Sequence, residues 1–118
     1  MTDSRQATQV RYGAKTLRAV EDFVTHADEA ARVSATRHHH DPRDAGLMVE
    51  ALITRLGESV SRMEDEFIED HPDLALRLIL GTQNLASHGD GTVNHQALWN
   101  AIDRILPATV HVLRAMIR

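Results

Sequence analysis

The chain has 118 residues, enough for one domain with one apolar core, and no cysteine, which excludes a disulfide framework, a Cys nucleophile and a thiolate metal site. Its formal net charge of −4 excludes a global basic field for recruiting nucleic acid, so any RNA-directed activity needs a local basic patch or a partner chain. The aromatics are limited to Tyr12, Phe23, Phe67 and Trp99, and a chain depleted in strand formers but rich in Ala, Leu, Arg and Glu is expected to be all-α.

In chain order, residues 1–7 read as a polar, frayed end, followed by one helical domain over 8–118. The N-terminal stretch carries Arg5, Arg11, Lys15 and Arg18 against Asp3 and has no apolar h-region. A signal peptide is therefore not expected, no run approaches membrane-spanning length, and a cytoplasmic product is. A first helix is predicted over 8–34, with Leu17, Val20, Val24, Ala27 and Ala31 stepping by three or four along one face. The segment from Arg37 to Asp44 breaks it, since Pro42 disfavours helix at the preceding residue, and Asp44 is a candidate N-cap for the next helix. That second helix is predicted to run to Asp70 on a stripe of Leu52, Leu56, Val60, Met63 and Phe67. Its acidic end, Glu64 to Asp70, reads first as a solvated face and second as a surface for a basic partner. Pro72 punctuates, and Asp73 is the expected cap of a third helix over 74–87. A loop with two glycines, His88 to Thr92, precedes a last helix from about Asn94, on which Leu98, Ile102, Leu106, Val110, Leu113 and Ile117 recur. Pro107 should kink or split that helix. These readings give a four- to five-helix up-and-down bundle.

Several segments, taken in order, resemble the HepT-like branch of the HEPN family. Arg55-Leu-Gly-Glu-Ser59 is similar to the family's Gly-Glu-Ala signature. A His-Pro break follows, and then Ile79-Leu-Gly-Thr-Gln-Asn-Leu-Ala-Ser-His-Gly-Asp90, where the family reads Gly-Met-Arg-Asn, three residues, His, any residue, Tyr. Leu98-Trp99, Ile102 and Leu106-Pro107 match the trailing Val-Trp and Leu-Pro positions. The resemblance covers residues 17–118. It implies a HEPN-type bundle that forms a homodimer, and the ribonuclease toxin half of a toxin–antitoxin pair whose antitoxin is an MNT-type nucleotidyltransferase. It also implies RNA cleavage without a metal or other cofactor, with His88 and Asn84 at the matching active-site positions. Such chemistry is physically reasonable: a His takes a proton from the 2′-hydroxyl near neutral pH, and an Arg steadies the developing phosphorane charge.

Two departures stand out. Gln83 occupies the family's Arg position and carries no charge, and Asp90 replaces the Tyr that some antitoxins of this kind modify. The resemblance therefore implies a weakened enzyme, or alternatively a silent module that binds and regulates a nucleotidyltransferase-like partner. Arg77 is a possible donor of the missing charge, but six residues of helix put it about 120° away from Gln83. Arg104 and His111 have a spacing that the wider HEPN class allows, and they read mostly as surface residues. His38, His39 and His40 with Asp41 are possible metal ligands, but neighbouring residues seldom converge on one ion. His71 reads as loop punctuation, and Glu58 as an ion-pair partner of Arg55 or Arg62. The apolar final stretch (Val110, Val112, Leu113, Met116, Ile117) supports the homodimer as a face that one short bundle leaves open.

Overall fold

The computed structural model describes residues 3–88 and 93–118, with side chains described for 3–82 and 93–118. Every regular element among them is helical. Four long helical runs make the bundle: α2 (Ala14–Thr36), α3 (Pro42–Ser61), α5 (Leu76–His88), and a final run of α6 (His95–Asn100), a π-helical turn (Ala101–Ile105) and α7 (Leu106–Met116). Two short helices, α1 (Ser4–Tyr12) and α4 (Asp65–Asp70), complete it. The fold is the all-α helical bundle that the periodicity predicts. Helix α3 is its hub, packing against α2, α5 and α6, while α2 also meets the π turn and α7.

The predicted stripes form the core. Leu52, Leu56, Val60, Met63 and Phe67 are all buried, and so are Leu17, Val20, Val24 and Ala27. The α2 stripe then drifts: Ala30 and Ser34 are buried, and Ala31 is exposed.

Several boundaries differ from the sequence expectation. The first predicted helix is two, because Gly13 (φ 95°, ψ 163°) takes a conformation that a side chain would strain. Residues 4–7, read as a frayed end, form the start of α1. Asp3 caps that helix by accepting from Gln6 N–H (2.6 Å), the Thr8 hydroxyl donates to Met116 O (3.0 Å), and Arg5 N–H donates to Arg118 O (2.9 Å). The second predicted helix is also two, since α3 ends at Ser61. The buried Thr16 hydroxyl accepts the Glu64 N–H (3.0 Å), fixing the chain where it turns so that both Met63 and Phe67 reach the core.

At the start of α3, Asp41 rather than Asp44 is the N-cap, accepting from Arg43 N–H (2.8 Å), and Pro42 takes the first helical position, where its missing N–H costs nothing. Asp73 does not cap the third helix either. It lies in a 3₁₀ turn (Pro72–Leu74), and α5 begins after Ala75, held in the left-handed region (φ 58°). Pro107 divides the last helix as expected, the π turn separating α6 from α7 while the backbone stays helical. It would clash with the carbonyl four residues back in a straight α-helix, and the ladder widens just before it, the Leu106 N–H reaching Ala101 O five residues back.

Candidate active-site helix and the adjacent cleft

Helix α5 carries the three residues assigned to catalysis. Its start is fixed from two sides: the buried Thr109 hydroxyl donates to Leu74 O (2.6 Å), and Ile79 N–H donates to Ala75 O (3.0 Å). Leu76 and Ile79 are buried against the bundle, whereas Arg77, Leu78 and Gly81 are exposed. Gln83, Asn84 and His88 continue this helical backbone, and the side chains of all three lie outside the described residues. By register, positions 84 and 88 are one turn apart on the same face, and position 83 is about 140° from 88. Asp90 lies wholly outside the described residues, as do positions 89–92 of the loop expected over His88–Thr92, and His88 itself ends α5. Arg77 is an exposed side chain within 3.8 Å of Glu69, beside a surface cavity shared with His71 and Leu78. His71 is not loose punctuation: its Nδ1 lies 2.7 Å from Phe67 O and its ring packs 4.6 Å from the Phe67 ring.

The signature on α3 is structural. Gly57 and Ser59 are buried, and the Ser59 hydroxyl donates to Arg55 O (3.2 Å). Arg55 and Arg62 pair with Glu29 and Asp22 on α2, both at 3.4 Å, rather than with the exposed Glu58. The trailing positions are core: Trp99, Ile102 and Leu106 are buried, and Arg104 and His111 are exposed. Much of the acidic run is answered within the chain. Asp70 accepts from the Tyr12 hydroxyl (2.6 Å) and from Arg11 (3.1 Å), which hold its carboxyl below the usual range. The apolar C-terminal stretch is also mostly covered. Leu113 is fully buried, Val110, Met116 and Ile117 pack on the core, α1 lies across α7, and Val112 is exposed. That stretch therefore gives little support to a dimer.

The structure adds a cleft that the sequence reading missed. At the corner between α2 and α3, the Arg37 guanidinium lies 5.0 Å from the centroid of the Trp99 ring. Its Nη1 donates to Asp103 (2.8 Å) and to the Ser34 hydroxyl, which in turn donates to Asp103. Burial pushes the Asp103 carboxyl up, but the bonds from Ser34 and Arg37 together outweigh it and hold it low. Asp103 sits in the π turn, so the irregular turn that accommodates Pro107 also presents this carboxylate. Arg37, His38, His40, His95 and Gln96 line a cleft of about 310 Å³ floored by Pro42, Ala45, Gly46 and Trp99. Among the described residues, no group of three or more His, Asp or Glu side chains is arranged to hold a metal ion. Asp41, the carboxylate of the histidine run, is used as the cap of α3.

The model of the family described as ribonuclease HepT-like matches residues 14–116, from the start of α2 to the end of α7. The chain belongs to the HepT-like family. The match takes in all four long helices, including α5 with its motif positions, and leaves α1 outside it. No curated protein and no solved structure gives a match. Among the described residues of this HepT-like chain, no helix is long and apolar enough to cross a membrane.

Proposed function

We propose that this HepT-like protein is the toxin of a HEPN/MNT toxin–antitoxin pair, a cytoplasmic endoribonuclease that needs no metal and is slowed by Gln83. The observation that carries the reading is the family match over residues 14–116, which spans the segment from Gln83 to His88. In this reading residues 8–118 act as one HEPN domain and two copies assemble into a homodimer with the α5 helices at a shared cleft. His88 serves in proton transfer, and Asn84, one turn earlier, orients the phosphate. Gln83 donates a hydrogen bond where an Arg would add charge, a loss of about 3 kcal/mol of transition-state stabilisation, or roughly a hundredfold in rate. The test is incubation of the purified protein with RNA in the presence of EDTA. Cleavage that persists in EDTA and disappears in His88→Ala supports the reading; cleavage unchanged by His88→Ala contradicts it.

A second reading is favoured by Asp90. A carboxylate two residues after His88 repels phosphate and offers no hydroxyl for stable nucleotide transfer, which fits a silent module held in a stoichiometric complex by a nucleotidyltransferase-like partner. Co-expression with the neighbouring gene followed by intact-mass measurement distinguishes the modes of control. An unmodified chain in a stable complex supports control by binding, and adenylyl groups on Ser87 or Thr92 would refute it.

A further inference from the structure

We propose that the cleft between the α2–α3 corner and the start of α6 is a subsite for one nucleotide of a single-stranded RNA. The inference rests on the ribonuclease reading for its choice of ligand, and on the cleft alone for its location. Its volume of about 310 Å³ is at the small end of ligand sites, the scale of one nucleotide rather than of a protein segment. The lining is rich in donors on an apolar floor: the guanidinium of Arg37, three imidazoles and the amide of Gln96.

Arg37 is preorganised. Its guanidinium carbon lies over the Trp99 ring, and its bonds to Ser34 and Asp103 run through Nη1, so among the described residues Nε and Nη2 make no hydrogen bond. A guanidinium plane fixed in this way can stack a base or grip a phosphate edge-on.

Two of the carboxylates nearby face the cleft's own lining residues and one is used as a helix cap. Asp103 is held by Ser34 and Arg37, Asp41 caps α3, and Glu50 lies 3.3 Å from His95 Nε2; Asp44 is exposed on the first turn of α3. The His95–Glu50 approach lacks hydrogen-bond alignment, which leaves that buried ring nitrogen unsatisfied. Gly46 keeps the cleft in this form, because a Cβ there would lie 2.6 Å from the His95 ring.

The cleft is also close to the motif along the chain. His95 follows His88 by seven residues, a span of at most about 25 Å, within reach of a few nucleotides of one strand.

The test is fluorescence anisotropy of a labelled ten-nucleotide single-stranded RNA on protein carrying His88→Ala, so that binding is read without cleavage. Adding His38→Ala, His40→Ala and Gln96→Ala, all at exposed positions, should weaken RNA binding about tenfold with the helical circular dichroism unchanged. Leu47→Ala, exposed on α3, serves as the control and should leave binding intact. Equal binding by the triple variant and its parent would overturn the inference. So would AMP binding that the triple variant loses while RNA binding is retained, which would mark a free-nucleotide site. A poly-glutamate peptide competing as well as RNA would show a general anion surface and would also overturn it. A protein that binds RNA through the cleft but does not cleave it leaves this inference standing without the ribonuclease reading. Cleavage in His88-intact protein that the cleft variants do not affect, together with unaltered binding, leaves the reverse.

Discussion

Replacing Thr109 by Val tests how α5 is positioned. The hydroxyl of Thr109 is buried and donates at 2.6 Å to the carbonyl of Leu74, the last residue of the 3₁₀ turn before the left-handed Ala75 that starts α5. Valine keeps the shape and deletes the donor. A buried carbonyl left without that partner costs about 1–3 kcal/mol, while the added methyl recovers up to about 0.8 kcal/mol of burial. The expected net loss is about 1–2 kcal/mol, read as a fall in Tm of roughly 4–8 °C for a domain of this size. Thermal unfolding followed by circular dichroism measures it. Amide exchange should also quicken at Ile79, whose N–H is bonded to Ala75 O just beyond the turn. Unchanged or increased stability, with Ile79 exchanging at the parent rate, would show that the turn is held by other contacts and would refute this account.

Other consequences follow from particular residues. Gly13→Ala should cost about 1–2 kcal/mol purely through the backbone, since a Cβ there meets nothing within 4 Å; a neutral effect on chemical denaturation would contradict the strain. Tyr12→Phe should change the acid response. The Asp70 carboxyl is held low first by the Tyr12 hydroxyl and then by Arg11, so its contribution is full above the unfolded carboxylate pKa of about 3.9 and is lost as pH falls through the lower folded value. The variant should therefore be less stable than the parent at pH 7, with the gap closing toward pH 3; a gap in urea midpoint that stays constant over that range would contradict the coupling. In light scattering, a mass near twice 13.2 kDa is expected for the proposed homodimer, and a concentration-independent 13.2 kDa would refute it.

The core was legible because burial imposes a period. The stripes of α2 and α3 could be read from the spacing of Leu17 to Ala27 and of Leu52 to Phe67. Signals that depend on one atom or one torsion were harder to read. Gly13 was visible as a glycine, but nothing local marks it as a position that must adopt positive φ. The break after Ser61 depends on the Thr16 hydroxyl reaching Glu64 N–H from 48 positions away, a tertiary contact with no local pattern. Asp41 and Asp44 both suit a cap, and the residue directly before Pro42 is the one that serves. The motif positions Gln83, Asn84 and His88 were located by resemblance alone. Arg37 went unnoticed because its partners, Trp99 and Asp103, come from the far end of the chain.

In the proposed function, α5 carries a ribonuclease site weakened at Gln83. The most direct measurement is cleavage of a defined RNA by Gln83→Arg protein, compared with the parent and with Gln83→Arg combined with His88→Ala. A rate ten- to a hundredfold above the parent is expected, on the order of one restored charge at the phosphate, with loss of that rate when His88 is removed. A folded Gln83→Arg protein that cleaves no faster than the parent, or whose cleavage survives His88→Ala, would contradict it.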